Sequence, residues 1–144
     1  MTLVVRFAGF FRQLNPNGPP VYCADIREAM EDLPNYPVRD VVSFLRSGHP
    51  ILDVMESCPD IVDGSAYIRG GSSVLSDGEW VWRWDLAHYV ERYNVSLPRL
   101  FVARMMEESY RVPSVPLEDL VALTLQVNEE LGFKRDPGAA PRGH

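Results

Sequence analysis

Apolar positions in this chain recur at two spacings, and the change from one to the other marks out its elements. Val4, Val5 and Phe7 give the stretch Thr2 to Phe7 the β-branched and aromatic bulk of a short strand. Asn15-Pro16-Asn17-Gly18-Pro19-Pro20 interrupts regular structure, and Val21 to Cys23 reads as a second extended piece. Ile26, Ala29, Met30 and Leu33 fall three or four apart, which predicts a helix over 25–33. Asp25 is its N-cap, Glu28 the capping-box partner and Pro34 its stop. Val38, Val41, Val42 and Leu45 predict a second helix, ended by Gly48 in a left-handed conformation. Ile51 to Met55 fits a helical turn or a strand equally well.

The period then drops to two. Trp80, Trp82 and Trp84 share one face of a strand, with Val81 and Arg83 on the other. Ser76-Asp77-Gly78-Glu79 before them predicts a hairpin over 66–84 with a type I′ turn. Gly70-Gly71 marks a bulge in its first arm. Helical spacing returns in Leu86, Tyr89, Val90 and Tyr93, capped by Asp85. A further helix is capped by Ser96, has Pro98 in its first turn, and turns Leu100, Phe101, Val102 and Met105 inward. The last covers 117–131, with Leu120, Leu123, Leu125 and Val127 as apolar positions and Gly132 as its stop. This order predicts an α+β fold in which helices cover a small antiparallel sheet.

At 144 residues the chain fits a single domain, residues 1–133, followed by a flexible Pro- and Gly-rich tail, 134–144. No apolar run is long enough to span a bilayer, and the first residues do not read as a secretory leader. Two cysteines, Cys23 and Cys58, are too few for a disulfide framework, so both read as buried small hydrophobes in a cytoplasmic protein.

The net charge of −6 argues against a nucleic-acid-binding domain, which ordinarily carries a basic patch. It is also unevenly placed. Between Asp25 and Asp63 lie nine acids and three bases, and elsewhere acids and bases balance. An acidic segment of this kind is either a solvated face or a docking surface for a basic partner. Asp25, Glu28, Glu31, Asp32, Asp53, Glu56, Asp60 and Asp63 are its candidate contact residues.

Catalytic and cofactor chemistry is thinly represented. No histidine lies at ligand spacing from a cysteine or another histidine, so neither a metal site nor a cofactor is expected. Nucleophile elbows and phosphate loops do not occur. His88, with Asp85 and Glu91 each three residues away, is the one candidate centre for a small enzyme. The tryptophans read as core, and the alternative function is that of a structural or regulatory interaction subunit docking through an apolar groove beside them.

Ser76-Asp77-Gly78-Glu79-Trp80-Val81-Trp82, Asp85-Leu86, His88-Tyr89-Val90, Tyr93-Asn94-Val95 and Leu97-Pro98, ending at Phe101, together form a distinctive pattern. It resembles small bacterial, particularly actinobacterial, proteins of unknown or toxin-immunity function, over about residues 66–106. The resemblance implies a non-catalytic inhibitor that blocks a cognate toxin domain, nucleases with basic grooves among them. The motif residues themselves are scaffold, so specificity would come from elsewhere, and the acidic segment is the candidate contact.

Overall fold

The computed structural model describes residues 4–132. The expected tail, and the start of the first expected strand, lie outside them.

The fold is α+β. A four-stranded sheet has the order β1-β6-β5-β2, from β1 (Arg6–Phe7), β6 (Trp80–Arg83), β5 (Val74–Ser76) and β2 (His49–Leu52). The sheet is mixed rather than antiparallel, because β1 runs parallel to β6. A two-stranded sheet pairs β3 (Ser57–Pro59) with β4 (Tyr67–Arg69). The helices are α1 (Ile26–Ala29), α2 (Val38–Arg46), α3 (Leu86–Tyr93), α4 (Arg99–Glu107) and α5 (Leu117–Glu130).

β6 lies inside the sheet with all four residues buried, and its alternation builds a core on each side. Trp80 and Trp82 join Leu75, Phe44, Tyr89 and Phe101 in the larger core, beneath α2, α3 and α4. The Trp80 ring stacks on Phe101 at 4.8 Å, and Trp82 donates its indole N–H to the Leu45 carbonyl at 2.8 Å. Val81 joins Val74, Phe10, Leu123 and Val127 in a smaller core under α5. Trp84, expected in line with the other two, is only half-buried.

The hairpin forms at Asp77-Gly78, with β5 and β6 paired from Val74↔Arg83 to Ser76↔Val81. Its turn is not type I′, since Gly78 has φ +103° but Asp77 is not left-handed. Instead, the Asp77 carboxylate accepts the N–H groups of Glu79 and Trp80 at 2.9 and 2.7 Å. Such Asx geometry substitutes a side chain for a backbone turn bond. The expected first arm is broken: Tyr67 and Ile68 pair with β3, and Gly70, at φ +65°, turns the chain towards β5.

Other expectations are corrected locally. α1 stops after Ala29 because the chain is drawn to the carboxyl end of α3. There Glu31 donates its N–H to the Tyr93 carbonyl, and Ser96 donates to that of Ala29. Leu33 is thereby left outside the core. Asp25 caps α1, but the reciprocal contact comes from Gln13 and not from Glu28: Gln13 accepts the Ile26 N–H and donates to Asp25. Gly48 is not left-handed. A side chain there would meet the Trp82 ring at 2.6 Å, so close packing selects the glycine. Asp85 and Ser96 do not cap their helices, because Asp85 is itself helical and α4 starts after the extended Pro98. Leu100, Leu125 and Cys23 are exposed, Cys58 is partly exposed, and residues 21–23 form no strand. Gly132, at φ +82°, follows α5 as expected.

Candidate functional site

The acidic segment divides into three settings. Asp25 is committed to its own fold: it accepts from Arg27 N–H at 2.8 Å and from Gln13 at 2.9 Å, and it pairs with Arg12 at 2.9 Å. These contacts, the Arg27 N–H foremost, hold its carboxyl below the usual range.

Asp60 is fully buried and therefore cannot contribute to a contact surface. One carboxylate oxygen accepts the N–H groups of Val62 and Asp63 at 2.8 and 2.9 Å. The other accepts the Tyr93 hydroxyl at 2.8 Å and lies 2.7 Å from His88 Nε2. Burial would raise the Asp60 pKa, but the bonds from His88, Asp63, Tyr93 and Val62 outweigh it and hold the value at about 2. An ionised Asp60 requires that Nε2 carry the proton and donate it. The carboxylate partner of His88 is thus Asp60, not Asp85 or Glu91. Asp85 turns into the interior to meet Arg83 at 2.8 Å, and Glu91 lies 3.7 Å from Arg46 at the surface. Burial raises the Asp85 pKa against the opposing pull of the Arg83 charge.

The remaining candidates face solvent. Glu28, Glu31 and Asp32 are exposed and make no ion pair among the described residues. The last two are fixed at the carboxyl end of α3, where Asn94 also donates to the Asp32 carbonyl at 3.4 Å. A helix terminus of that polarity carries partial negative charge, which deepens the local potential. Leu33, next in the chain, is 83% exposed. Asp63 accepts from Arg92, also of α3, at 3.2 Å. Both side chains are solvated, so this pair adds little; the other Asp63 oxygen accepts the Ser65 N–H at 3.1 Å and its hydroxyl at 2.6 Å, and the carboxylate remains open to solvent. Asp53 and Glu56 lie apart, in the β2–β3 connection, and flank Met55, which is 78% exposed.

Large exposed apolar residues beside unpaired acids were not anticipated. Leu33 was expected inside because its spacing continues the α1 stripe, and nothing local reveals that the helix ends four residues earlier. The Ile51–Met55 run fits a helical turn and a strand equally well, so it does not reveal that Met55 lies exposed.

Among the described residues, no group of three or more His, Cys, Asp or Glu side chains is placed to hold a metal, and no helix is long and apolar enough to cross a membrane. No protein-family model matches the chain, and neither a curated protein nor a solved structure is significantly similar to it.

Proposed function

We propose that this chain is a non-catalytic, protein-binding inhibitor of the toxin-immunity type, which neutralises a basic toxin domain by occupying its cationic groove. One observation carries this reading. Within residues 28–33 are three carboxylates without an ion-pair partner among the described residues and a protruding leucine, and the backbone of Glu31 and Asp32 is held at the carboxyl end of α3. Interfaces that bind quickly and selectively combine a charged rim, which steers encounter, with an apolar anchor, which slows release. Glu28, Glu31 and Asp32 supply the rim and Leu33 the anchor, with Asp63 at its edge. Asp53, Met55 and Glu56 repeat the combination on a second segment. Asp60 leaves the contact set because it is buried, and Asp25 because its carboxylate is tied to Arg12, Gln13 and the Arg27 N–H; Asp63, though bonded to Ser65 and Arg92, keeps an exposed side chain.

The test takes as partner the C-terminal domain of a secreted protein encoded beside this chain. Stopped-flow association should slow by about tenfold or more between 50 and 500 mM NaCl, as exposed charges are screened. The triple variant E28Q/E31Q/D32N should slow association by about tenfold at low salt. Leu33→Ala should act mainly on dissociation. A rate insensitive to both salt and the triple variant would defeat the acidic-rim mechanism. Undiminished toxin activity in the presence of excess inhibitor chain would defeat the function itself.

A further inference from the structure

At the junction of the two sheets the surface folds inward into a cavity of about 340 Å³. Its lining is largely apolar, with Leu52, Val74, Leu75 and Trp84. Arg46 from the last turn of α2, Arg69 from β4 and a single carboxylate, Asp53, complete the charged part of the wall.

The hollow has a structural origin. The ladder between β2 and β5 slips between Pro50 and Leu52, and a bulge of this kind bends a strand and re-aims its side chains. The opposite wall is braced: the Ser73 hydroxyl donates to the Val54 carbonyl at 3.1 Å and accepts the Val54 N–H at 2.9 Å. Trp84, whose backbone N–H donates to the Ser73 carbonyl at 2.7 Å, packs half-buried against the edge of the larger core and is the tryptophan that borders this space.

Size and charge narrow the occupant. Mostly apolar hollows of about 300–1,000 Å³ with a few placed polar groups are typical of small-molecule sites, whereas protein interfaces bury about 800 Å² per partner. Two guanidiniums against one carboxylate give this wall a positive balance in a molecule of net charge −6. Arg69 has no ion-pair partner among the described residues, and Arg46 meets only the solvated Glu91, at 3.7 Å. A guanidinium fork matches a carboxylate in a two-pronged way, and an indole face accepts a flat ring.

We propose that this cavity binds a small aromatic monocarboxylate, with its ring against Trp84 and its carboxylate on Arg69, supported by Arg46. Asp53 disfavours more highly charged anions by like-charge repulsion. Its lining shares no residue with the 28–33 segment and only Asp53 with the second contact segment, and the proposal does not depend on the inhibitor reading.

The experiment is a titration of the uniformly 15N-labelled full chain with 2-naphthoate and, separately, with its uncharged counterpart 2-naphthamide, followed by NMR. Naphthoate should shift the Trp84 indole N–H and the amides of Gly70 and Val74 saturably, with a Kd of about 1 mM or below. Naphthamide should bind about tenfold or more weakly, the difference supplied by the charge-assisted contact. Arg69→Gln, at an exposed position whose folding the same spectra check, should abolish the preference for the acid over the amide. Absence of saturable shifts up to about 5 mM, a Kd near −3.1 kcal/mol in free-energy terms, would overturn the proposal. So would equal affinity for acid and amide, or shifts confined to another face.

Discussion

Asp60 is the side chain on which a residue-level account can be tested most directly. Its carboxylate holds two backbone N–H groups of its own loop and two side chains of α3, and so fastens the 60–63 turn to that helix. The group ionises near pH 2 in the fold against an ordinary 3.8. A depressed carboxylate pKa contributes stability that is fully present above about pH 4 and is lost as pH falls from 3.8 towards 2. The contribution is on the order of 2 kcal/mol. Asp60→Asn leaves the Tyr93 and His88 donors without a charged acceptor in a buried place, so it should cost about 1–3 kcal/mol at neutral pH. It should also flatten the acid limb of the stability curve. Urea midpoints measured at pH 7, 4 and 2.5 check both effects, and an unchanged acid limb in the variant would show that other carboxylates carry it.

At the scale of elements, the β5–β6 turn links the hairpin to α4. One oxygen of Asp77 closes the turn, while the other accepts from Arg104 Nε at 2.7 Å. Gly78 holds φ +103°, and a side chain there would approach Val115 to 2.9 Å. Gly78→Ala should therefore cost about 1–3 kcal/mol through backbone strain and crowding. Asp77→Ala, which orphans two N–H groups and a partly buried cation, should cost about 3 kcal/mol or more. Urea midpoints check both, and a loss below about 1 kcal/mol in Asp77→Ala would mean that the Asp77 contacts, that with Arg104 included, are energetically idle. The existence of this turn was legible from Asp-Gly between two apolar runs, and α2, α3 and α5 were legible from their spacing. What escaped the sequence depended on partners distant along the chain. The Gly70 break reflects pairing of β4 with β3, and the early end of α1 reflects backbone bonds to Tyr93 and Ser96. Trp84 keeps perfect alternation with Trp80 and Trp82, yet it lies at the edge of the core and is only half-buried. The candidate site was legible in its exposed acids at 28, 31 and 32. It was misread at Asp60, because a carboxylate's burial is decided by a histidine 28 residues away.

Taken whole, the molecule is a sheet with unequal cores on its two faces. Three helices cover the tryptophan side, whereas α5 lies over the other face and buries Leu123 and Val127 against Phe10, Val74 and Val81. The outward side of α5 remains apolar at Leu117, Val121 and Leu125, which stay more than half exposed and so gain little from the fold. The connection into α5 runs through Pro113 and Pro116, so few backbone bonds tie the helix to the rest. An element that rests on few buried side chains opens at a lower free energy than the body it covers. Leu123→Ala removes a large part of that attachment and should cost about 2–4 kcal/mol locally. Native-state hydrogen exchange should then show the α5 amides losing protection by a factor of about 30 or more, while α2, α3 and β6 keep theirs nearly unchanged. A parallel loss of protection across all these elements would instead mean that the small core is part of one cooperative unit. In that case the outer face of α5 would be as rigid a surface as the sheet beneath it.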